Sequence, residues 1–386
     1  MKQSQTSPSR TAPASFLRHA TDVASFYGFR PARDIERMAQ NRLVKRMGAH
    51  TFETAAQVSV TRVAMRPGEP VLAYYASPYP TNLPRGCAPR ESGEFGLQVI
   101  GSQESVGEVV MLKTLSAIIT EWGASIERVR VNATGDRDSQ QRFLRELSVY
   151  TRKHLQHFDE ELREAIAQNP LSAYACPSEQ AKKLLSEGPR PVTFLSERSR
   201  AHFRSVLEHL ENLGLPYELD DLLLGDARDP HISFAIDLAN ADATIMAAVG
   251  GRYDDFLKRQ SGRKESAGVA ASIFFRKSGA ARSSFTAPQK AATPKIYFVQ
   301  LGLRAKLQGL GVVDMLRDAH IPVSQSFDAS HLSPQLVAAH ELGVPYLLIM
   351  GQREAIDGTI IVRSTANSSQ TIIEISQLPR FLKTLH

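Results

Sequence analysis

The last quarter of the chain has a regular pattern of apolar and amphipathic segments. Residues 295–301 and 345–350 are apolar runs of strand length. Between them, residues 306–319 and 333–342 place their apolar side chains on one face at helical spacing. Strands that alternate with helices indicate an α/β layer structure, so we expect residues 295–386 to form an α/β domain.

The larger N-terminal part has strands and helices at less regular intervals. The spacing of apolar residues predicts one helix over residues 108–122 and a long second helix over residues 138–168. Residues 233–238 and 243–249 predict a hairpin-like pair of strands ahead of two glycines. Helices grouped between such strands indicate an α+β fold with a mostly antiparallel sheet.

Two low-complexity segments divide the chain. Residues 1–15 are rich in Ser, Thr and Pro and contain no acidic residue, which predicts a flexible tail. Residues 277–294 are rich in Ala, Ser and Pro and predict an interdomain linker. We therefore expect a core over residues 16–276, with a helical insertion at about 170–215, followed by the C-terminal domain.

Composition narrows the class of protein. Two cysteines cannot form a disulfide scaffold. No apolar run reaches the roughly 18 residues that a membrane span needs. We therefore expect a cytoplasmic protein without a membrane partner.

Positive charge is concentrated at the N-terminus. The formal net charge is +6, and residues 1–50 alone hold nine basic against three acidic residues. Residues 295–386 are nearly balanced, with eight basic and seven acidic residues. The N-terminal excess fits either a solvated surface or a contact with a polyanion, so the net charge alone does not decide between them.

Several short phrases, in chain order, resemble the class II histidyl-tRNA synthetase family. Residues 27–30 (YGFR) resemble the start of motif 1, and residues 65–67 (MRP) resemble a segment near the amino-acid pocket. Residues 90–91, 95–96 and 99–101 resemble the second half of motif 2, and residues 250–254 (GGRYD) are the most specific match. Residues 335–354 resemble part of the family's anticodon-binding domain.

The resemblance implies a fold and a ligand pocket. The fold would be a class II synthetase core, with an antiparallel sheet and flanking helices, plus an α/β domain like the anticodon-binding domain. Motif 1 implies a homodimer. The implied pocket residues are Arg66, Glu69, Arg90, Glu91, Gly250, Gly251, Arg252 and Tyr253. For Arg252 a purely structural alternative stays open, in which it pairs with Asp254 or Asp255 at a glycine turn.

The catalytic residues of the resembled family are not in their places. Joining a carboxylate to an α-phosphate requires fixed cations and usually Mg²⁺. The motif 2 arginine falls near Pro80, and the arginine of the histidine-specific loop falls on Gly225. Motif 3, residues 268–276, has no Glu and has its arginine one position late. The catalytic residues are therefore unknown, with the remaining candidates being Arg90, Arg228 and Arg276.

These departures predict a synthetase paralogue with impaired or lost adenylation that acts by binding histidine, tRNA or a partner protein. One form resembles the histidine-sensing regulatory subunit of ATP phosphoribosyltransferase, whose partner would be the catalytic subunit. The alternative is an active, divergent histidine–tRNA ligase that uses ATP and Mg²⁺. No metal site made by protein alone is expected, because the i, i+3 pair His154 and His157 is more typical of a solvated helix face.

Overall fold

The computed structural model describes residues 13–32, 70–77, 91–175, 178–224, 230–239, 244–261, 266–276, 295–325 and 331–385. Its α-helices are α1 (Pro13–Phe26), α2 (Val106–Trp122), α3 (Arg137–Lys153), α4 (Glu160–Gln168), α5 (Glu179–Ser186), α6 (Glu197–Asn212), α7 (Asp254–Ser261), α8 (Leu303–Asp318), α9 (Leu332–Glu341), α10 (Gln352–Asp357) and α11 (Leu378–Lys383). Its strands are β1 (Arg30–Pro31), β2 (Val71–Ser77), β3 (Ser92–Ile100), β4 (Ile126–Ala133), β5 (Glu218–Leu219), β6 (Ile232–Leu238), β7 (Ile245–Arg252), β8 (Gly268–Arg276), β9 (Ile296–Gln300), β10 (Val323–Gln325), β11 (Tyr346–Met350), β12 (Thr359–Ser364) and β13 (Gln370–Glu374).

The N-terminal part is built on a sheet of eight strands in the order β1-β2-β3-β8-β7-β6-β4-β5. Every neighbouring pair is antiparallel except the two edge pairs, β1 with β2 and β4 with β5. Apolar side chains of β3 on one face, Phe95, Leu97 and Val99, join the same core as α1 and α2. The predicted α+β fold with a mostly antiparallel sheet is confirmed.

The C-terminal part has a five-stranded sheet in the order β10-β9-β11-β12-β13. The first three strands are parallel, and β12 and β13 join them antiparallel. The apolar runs at residues 295–301 and 345–350, expected as strands, form β9 and β11. The α/β architecture expected from the alternating pattern is therefore confirmed.

The long helix predicted over residues 138–168 is wrong. Helix α3 ends at Lys153, a 3₁₀ turn follows at Leu155–His157, and α4 begins at Glu160. The break turns Phe158 inward, where it is 2% exposed and packs with Ile166 and Leu185 in a separate small core. Burying a phenylalanine there stabilises the bend by more than the few hydrogen bonds that a continuous helix would add.

Two smaller boundaries also differ from the sequence prediction. Helix α1 begins at Pro13, so residues 13–15 of the expected tail are helical, as suits proline in a first helical turn. Strand β7 continues to Arg252, so Gly250 and Gly251 lie inside a strand. The remainder of the tail and the predicted linker at 277–294 lie outside the described residues.

The C-terminal domain contacts the helices that cover the large sheet. Asp314 of α8 pairs with Lys113 of α2 at 2.5 Å and accepts a hydrogen bond from the Tyr27 hydroxyl. Arg317 holds Glu121 through two hydrogen bonds of 2.5 and 2.7 Å. Helix α8 is therefore fastened to both α1 and α2.

Among the described residues, no helix has both the length and the apolar character needed to cross a membrane.

Candidate ligand-binding face of the large sheet

One face of the large sheet carries a row of polar and small side chains. Directly paired residues point to the same face, so one row runs across five strands. The row comprises Ala73, Gln98, Ala270, Gly251 and Ser233. We call it the floor row. The opposite face carries the apolar core against α1 and α2.

Two buried polar side chains in the floor row make no hydrogen bond to any residue that the structure describes. Gln98 is 1% exposed, and neither its amide oxygen nor its amide nitrogen makes a hydrogen bond within the part of the chain that the structure describes. Ser233 is 2% exposed, and its hydroxyl likewise makes no hydrogen bond to any described residue. Leaving such a group unsatisfied costs about 1–3 kcal/mol, so orphaned buried groups mark places where a ligand or water completes the site.

The distance between these two groups suits a small molecule. Gln98 and Ser233 are separated by three strand steps, which at strand spacing is roughly 14 Å between backbones. Ala270 and Gly251 lie between them and add almost no side-chain volume. The stretch of the floor row between Gln98 and Ser233 therefore has almost no side-chain volume, and we call it the candidate ligand slot.

A buried carboxylate lies beside this slot. Glu94 is four residues before Gln98 on β3 and points to the same face. Its Oε1 accepts a hydrogen bond from the Tyr75 hydroxyl at 2.9 Å and another from the Ser272 hydroxyl. Gly96 makes this possible, because a Cβ there would lie 2.1 Å from the Tyr75 ring.

Gly251 is required in the floor row by its neighbours. A Cβ at this position would lie 2.4 Å from the carbonyl oxygen of Ile232 and 3.0 Å from Cβ of Pro230. Gly250 faces the other side, where a Cβ would lie 2.5 Å from Cβ of Ala271. The two glycines thus serve opposite faces, and only Gly251 borders the candidate ligand slot.

Arg252 lies on the helix-covered face, away from the floor row. It is 2% exposed, and its guanidinium holds Glu108 through bonds of 2.6 and 2.8 Å. It also donates to Asp254 at 3.1 Å and to the carbonyl oxygens of Ser102 and Glu104. These bonds use all five N–H donors, so a direct ligand contact by Arg252 would have to replace one of them.

The Glu108 carboxylate is ionised in this setting. Burial alone would raise its pKa, but the charge and hydrogen bonds of Arg252, together with the hydrogen bond to His202, outweigh burial and lower the pKa to about 2. The pair fastens the first turn of α2 to the end of β7.

The other pocket candidates are distributed unevenly. Tyr253 is 4% exposed directly after β7, whereas Glu91 is exposed at the start of β3. Arg276 is exposed at the end of β8, opposite Ser92, on the same face as Glu94. Four candidates lie outside the described residues: Arg66, Glu69, Arg90 and Arg228.

Sequence reasoning missed Glu94, Gln98 and Ser233. The motif match drew attention to residues 95–96 and 99–101, which are apolar or glycine, and passed over the polar positions between them. A signal was present, because Glu94 and Gln98 have the same parity in a strand whose other parity is apolar.

Comparison with known proteins identifies related chains. Residues 299–385 match a family model described as "Anticodon binding domain". A histidine–tRNA ligase of Bacillus velezensis is 26% identical over 343 residues, covering 86% of this chain and 80% of the relative. Histidine–tRNA ligase 1 of Shouchella clausii is 28% identical over 326 residues, covering 82% and 75%.

Two solved structures align over most of the chain at low identity. The apo histidyl-tRNA synthetase of S. aureus gives a TM-score of 0.48 and 19% identity, covering 98% of this chain and 99% of that one. A Bacillus halodurans structure named as an ATP phosphoribosyltransferase regulatory subunit/histidyl-tRNA synthetase gives a TM-score of 0.41 and 12% identity, covering 91% and 99%.

A large, mostly antiparallel sheet joined to a domain matching the anticodon-binding model defines a class II aminoacyl-tRNA synthetase-like protein. Within that class, the chain is similar over most of its length to histidine–tRNA ligases. The resemblance indicated by the sequence phrases is confirmed.

Proposed function

We propose that this chain is a histidyl-tRNA-synthetase-like binding protein with impaired or lost adenylation, whose floor row takes histidine or a closely similar amino acid. The observation that carries the proposal is the orphaned Gln98 amide beside the Glu94 carboxylate. Carboxylate and amide oxygens accept hydrogen bonds from an ammonium group and from imidazole N–H, which are the polar donors of histidine.

The Glu94 carboxylate and the Gln98 amide are poorly suited to binding ATP. Adenylation needs cations aimed at the phosphate, whereas a carboxylate near a triphosphate adds repulsion. The floor row contains no Lys or Arg. Arg130 points to the same face from β4, but it is held by Asp220 at 2.6 Å and Asp237 at 2.8 Å. Among the described residues, this arrangement supports amino-acid binding over adenylate formation.

In this proposal the protein is a cytoplasmic homodimer that acts through a partner, either an ATP phosphoribosyltransferase catalytic subunit or tRNA. The surface of the C-terminal domain supports a protein partner. Val337, Ile356 and Ile372 are 58%, 57% and 68% exposed there, so the domain has apolar side chains available for contact with a protein. Recognition of an anticodon would more often show a clear basic excess, which residues 295–386 lack.

The deciding experiment combines ATP–pyrophosphate exchange with thermal unfolding. We expect no histidine-dependent exchange, together with a histidine-dependent rise in the melting temperature of the full-length protein. Ligand at 100 times its Kd stabilises the folded state by about 2.7 kcal/mol, which such a measurement detects. Exchange that depends on histidine would refute the loss of adenylation.

Matched variants test whether histidine binds at the floor row. Glu94→Gln and Gln98→Ala should abolish the histidine-dependent shift, whereas Glu91→Gln, at an exposed residue of the same strand region, should keep it. The melting temperature of each variant without histidine reports whether it folds. A full shift in both folded floor variants would exclude the floor row as the site.

A second candidate function is an active, divergent histidine–tRNA ligase using ATP and Mg²⁺. Arg276 favours it, because it lies on the Glu94 face at the end of β8 and is exposed to solvent. In this case exchange is present, and Arg276→Ala should lower its rate by about 10²–10³, the usual cost of removing one fixed transition-state donor.

A further inference from the structure

A cavity opens at the strand ends, between the loop before α2 and the N-terminal turns of α3, α6 and α7. Its walls include Asp136, Arg198, Ser199, His202 and Lys258. Gln98 and Glu94 of the ligand-binding face are not among its lining residues. The cavity is thus a second enclosed space, and the proposed amino-acid site does not account for it.

His202 is positioned in this cavity by a buried ion pair. Its Nε2 lies 2.8 Å from Oε1 of Glu108, which is itself held by Arg252. Because an ionised carboxylate only accepts, the proton lies on Nε2 and the hydrogen bond points inward. The side chain keeps 23% of its surface exposed, and its Nδ1 has no hydrogen bond to any described residue.

Two cationic side chains approach the same space from different helices. Arg198 is one turn before His202 on α6, is exposed, and forms no ion pair with the described residues. Lys258 of α7 is 39% exposed and forms an ion pair with Asp255 at 3.0 Å.

The carboxylates of the cavity wall are already satisfied. Asp136 accepts hydrogen bonds from the Ser196 hydroxyl at 2.7 Å and from the backbone and side chain of Ser139. Burial would raise the pKa of Asp136, but these hydrogen bonds lower it to about 2. Asp254 binds Arg252 and the backbone N–H of Gly268. The donors that remain available are therefore cationic.

We propose that this cavity binds a small oxyanion, a carboxylate or a phosphate, between Arg198 and Lys258. His202 donates from Nε2 to Glu108 and, in this proposal, from Nδ1 to the bound oxyanion. Glu108 and Arg252 act as positioning residues, because they hold the ring and do not touch the ligand. The proposal does not depend on the function proposed above.

The test measures the melting temperature of the full-length protein in sodium sulfate, sodium phosphate or sodium acetate, with sodium chloride balancing the ionic strength. We expect sulfate and phosphate, or acetate, to raise it above the chloride baseline. A response to sulfate and phosphate alone assigns a phosphate-type ligand, and a response to acetate assigns a carboxylate. No anion-specific rise would overturn the proposal.

Variants of helix α6 test whether the anion-dependent rise in melting temperature comes from this cavity. Arg198→Ala and His202→Gln should each weaken the apparent affinity at least about tenfold, which corresponds to 1.4 kcal/mol. Arg204→Ala removes an exposed arginine from the same helix and should leave the response unchanged. Equal responses in Arg198→Ala and Arg204→Ala would refute the site. Glu94→Gln should respond like the wild type, which separates this result from the amino-acid site.

Discussion

Replacing Arg252 by methionine tests how strongly the Glu108 pair holds the core together. The change leaves Glu108, which has no solvent-exposed side-chain surface, with only the hydrogen bond to His202 among the described side chains. Removing one partner of a buried ion pair typically costs about 3–5 kcal/mol. The lowering of the Glu108 pKa from 4.5 to about 2 gives a similar size, about 3 kcal/mol at 1.36 kcal/mol per unit.

The contribution of the Glu108–Arg252 pair to folding stability should change with pH in one direction. A carboxyl whose pKa is lowered by folding stabilises the folded state above its unfolded value of 4.5, and this contribution is lost as the pH falls towards 2. The difference in stability between wild type and Arg252→Met should therefore be largest near neutral pH and should shrink below about pH 4.

The assay uses an intrinsic probe. Trp122, the only tryptophan in the chain, ends the same helix that Glu108 begins, so its fluorescence follows the unfolding of this core. We expect urea unfolding at pH 7 to give a free energy of unfolding lower by about 3–5 kcal/mol for Arg252→Met. Arg204→Met, an exposed control, should stay within about 0.5 kcal/mol of the wild type.

A double variant decides the mechanism. Arg252→Met combined with Glu108→Met removes the unpaired charge, so it should recover a large part of the loss. A loss below about 1 kcal/mol in the single variant, or a double variant that costs the sum of both, would refute the charge argument.

Three further predictions concern glycines and the domain contact. Gly251→Ala should lower the free energy of unfolding by about 1–3 kcal/mol, because the new Cβ meets the Ile232 carbonyl oxygen at 2.4 Å; calorimetry measures this. Gly311→Ala should instead raise it by about 1 kcal/mol, because this exposed position inside α8 has open space for a Cβ. Arg317→Ala removes the paired bonds to Glu121 and should speed hydrogen exchange in α8, and unchanged exchange would exclude this contact as a fastening.

The sequence was sufficient where a single periodicity decided the structure. The apolar runs at residues 295–301 and 345–350 are of strand length, so strands β9 and β11 followed from the chain alone. It was insufficient at residues 154–159, where helical spacing continues but Phe158 is buried in a neighbouring small core. That choice depends on tertiary packing, which a local pattern does not contain.

The candidate site was predicted in part. The GGRYD phrase drew attention to Gly251 and Arg252 together, but consecutive strand residues point to opposite faces, so the two residues do not share a face. This was hidden because the sequence prediction ended the strand before the glycines. Gln98 and Glu94 became visible only once the register of β3 against β2 and β8 was known.

Helix α2 extends from the strand-end cavity to the contact with the C-terminal domain. Its 17 residues span about 25 Å at the usual rise per residue. Glu108 at one end is tied to Arg252 and His202, while Lys113 and Glu121, further along, are tied to α8 of the C-terminal domain. The contacts at the two ends of this helix offer a route by which a displacement of its first turn would reach the C-terminal domain. If occupancy of the strand-end cavity moves Glu108, we expect the orientation of that domain to change with it.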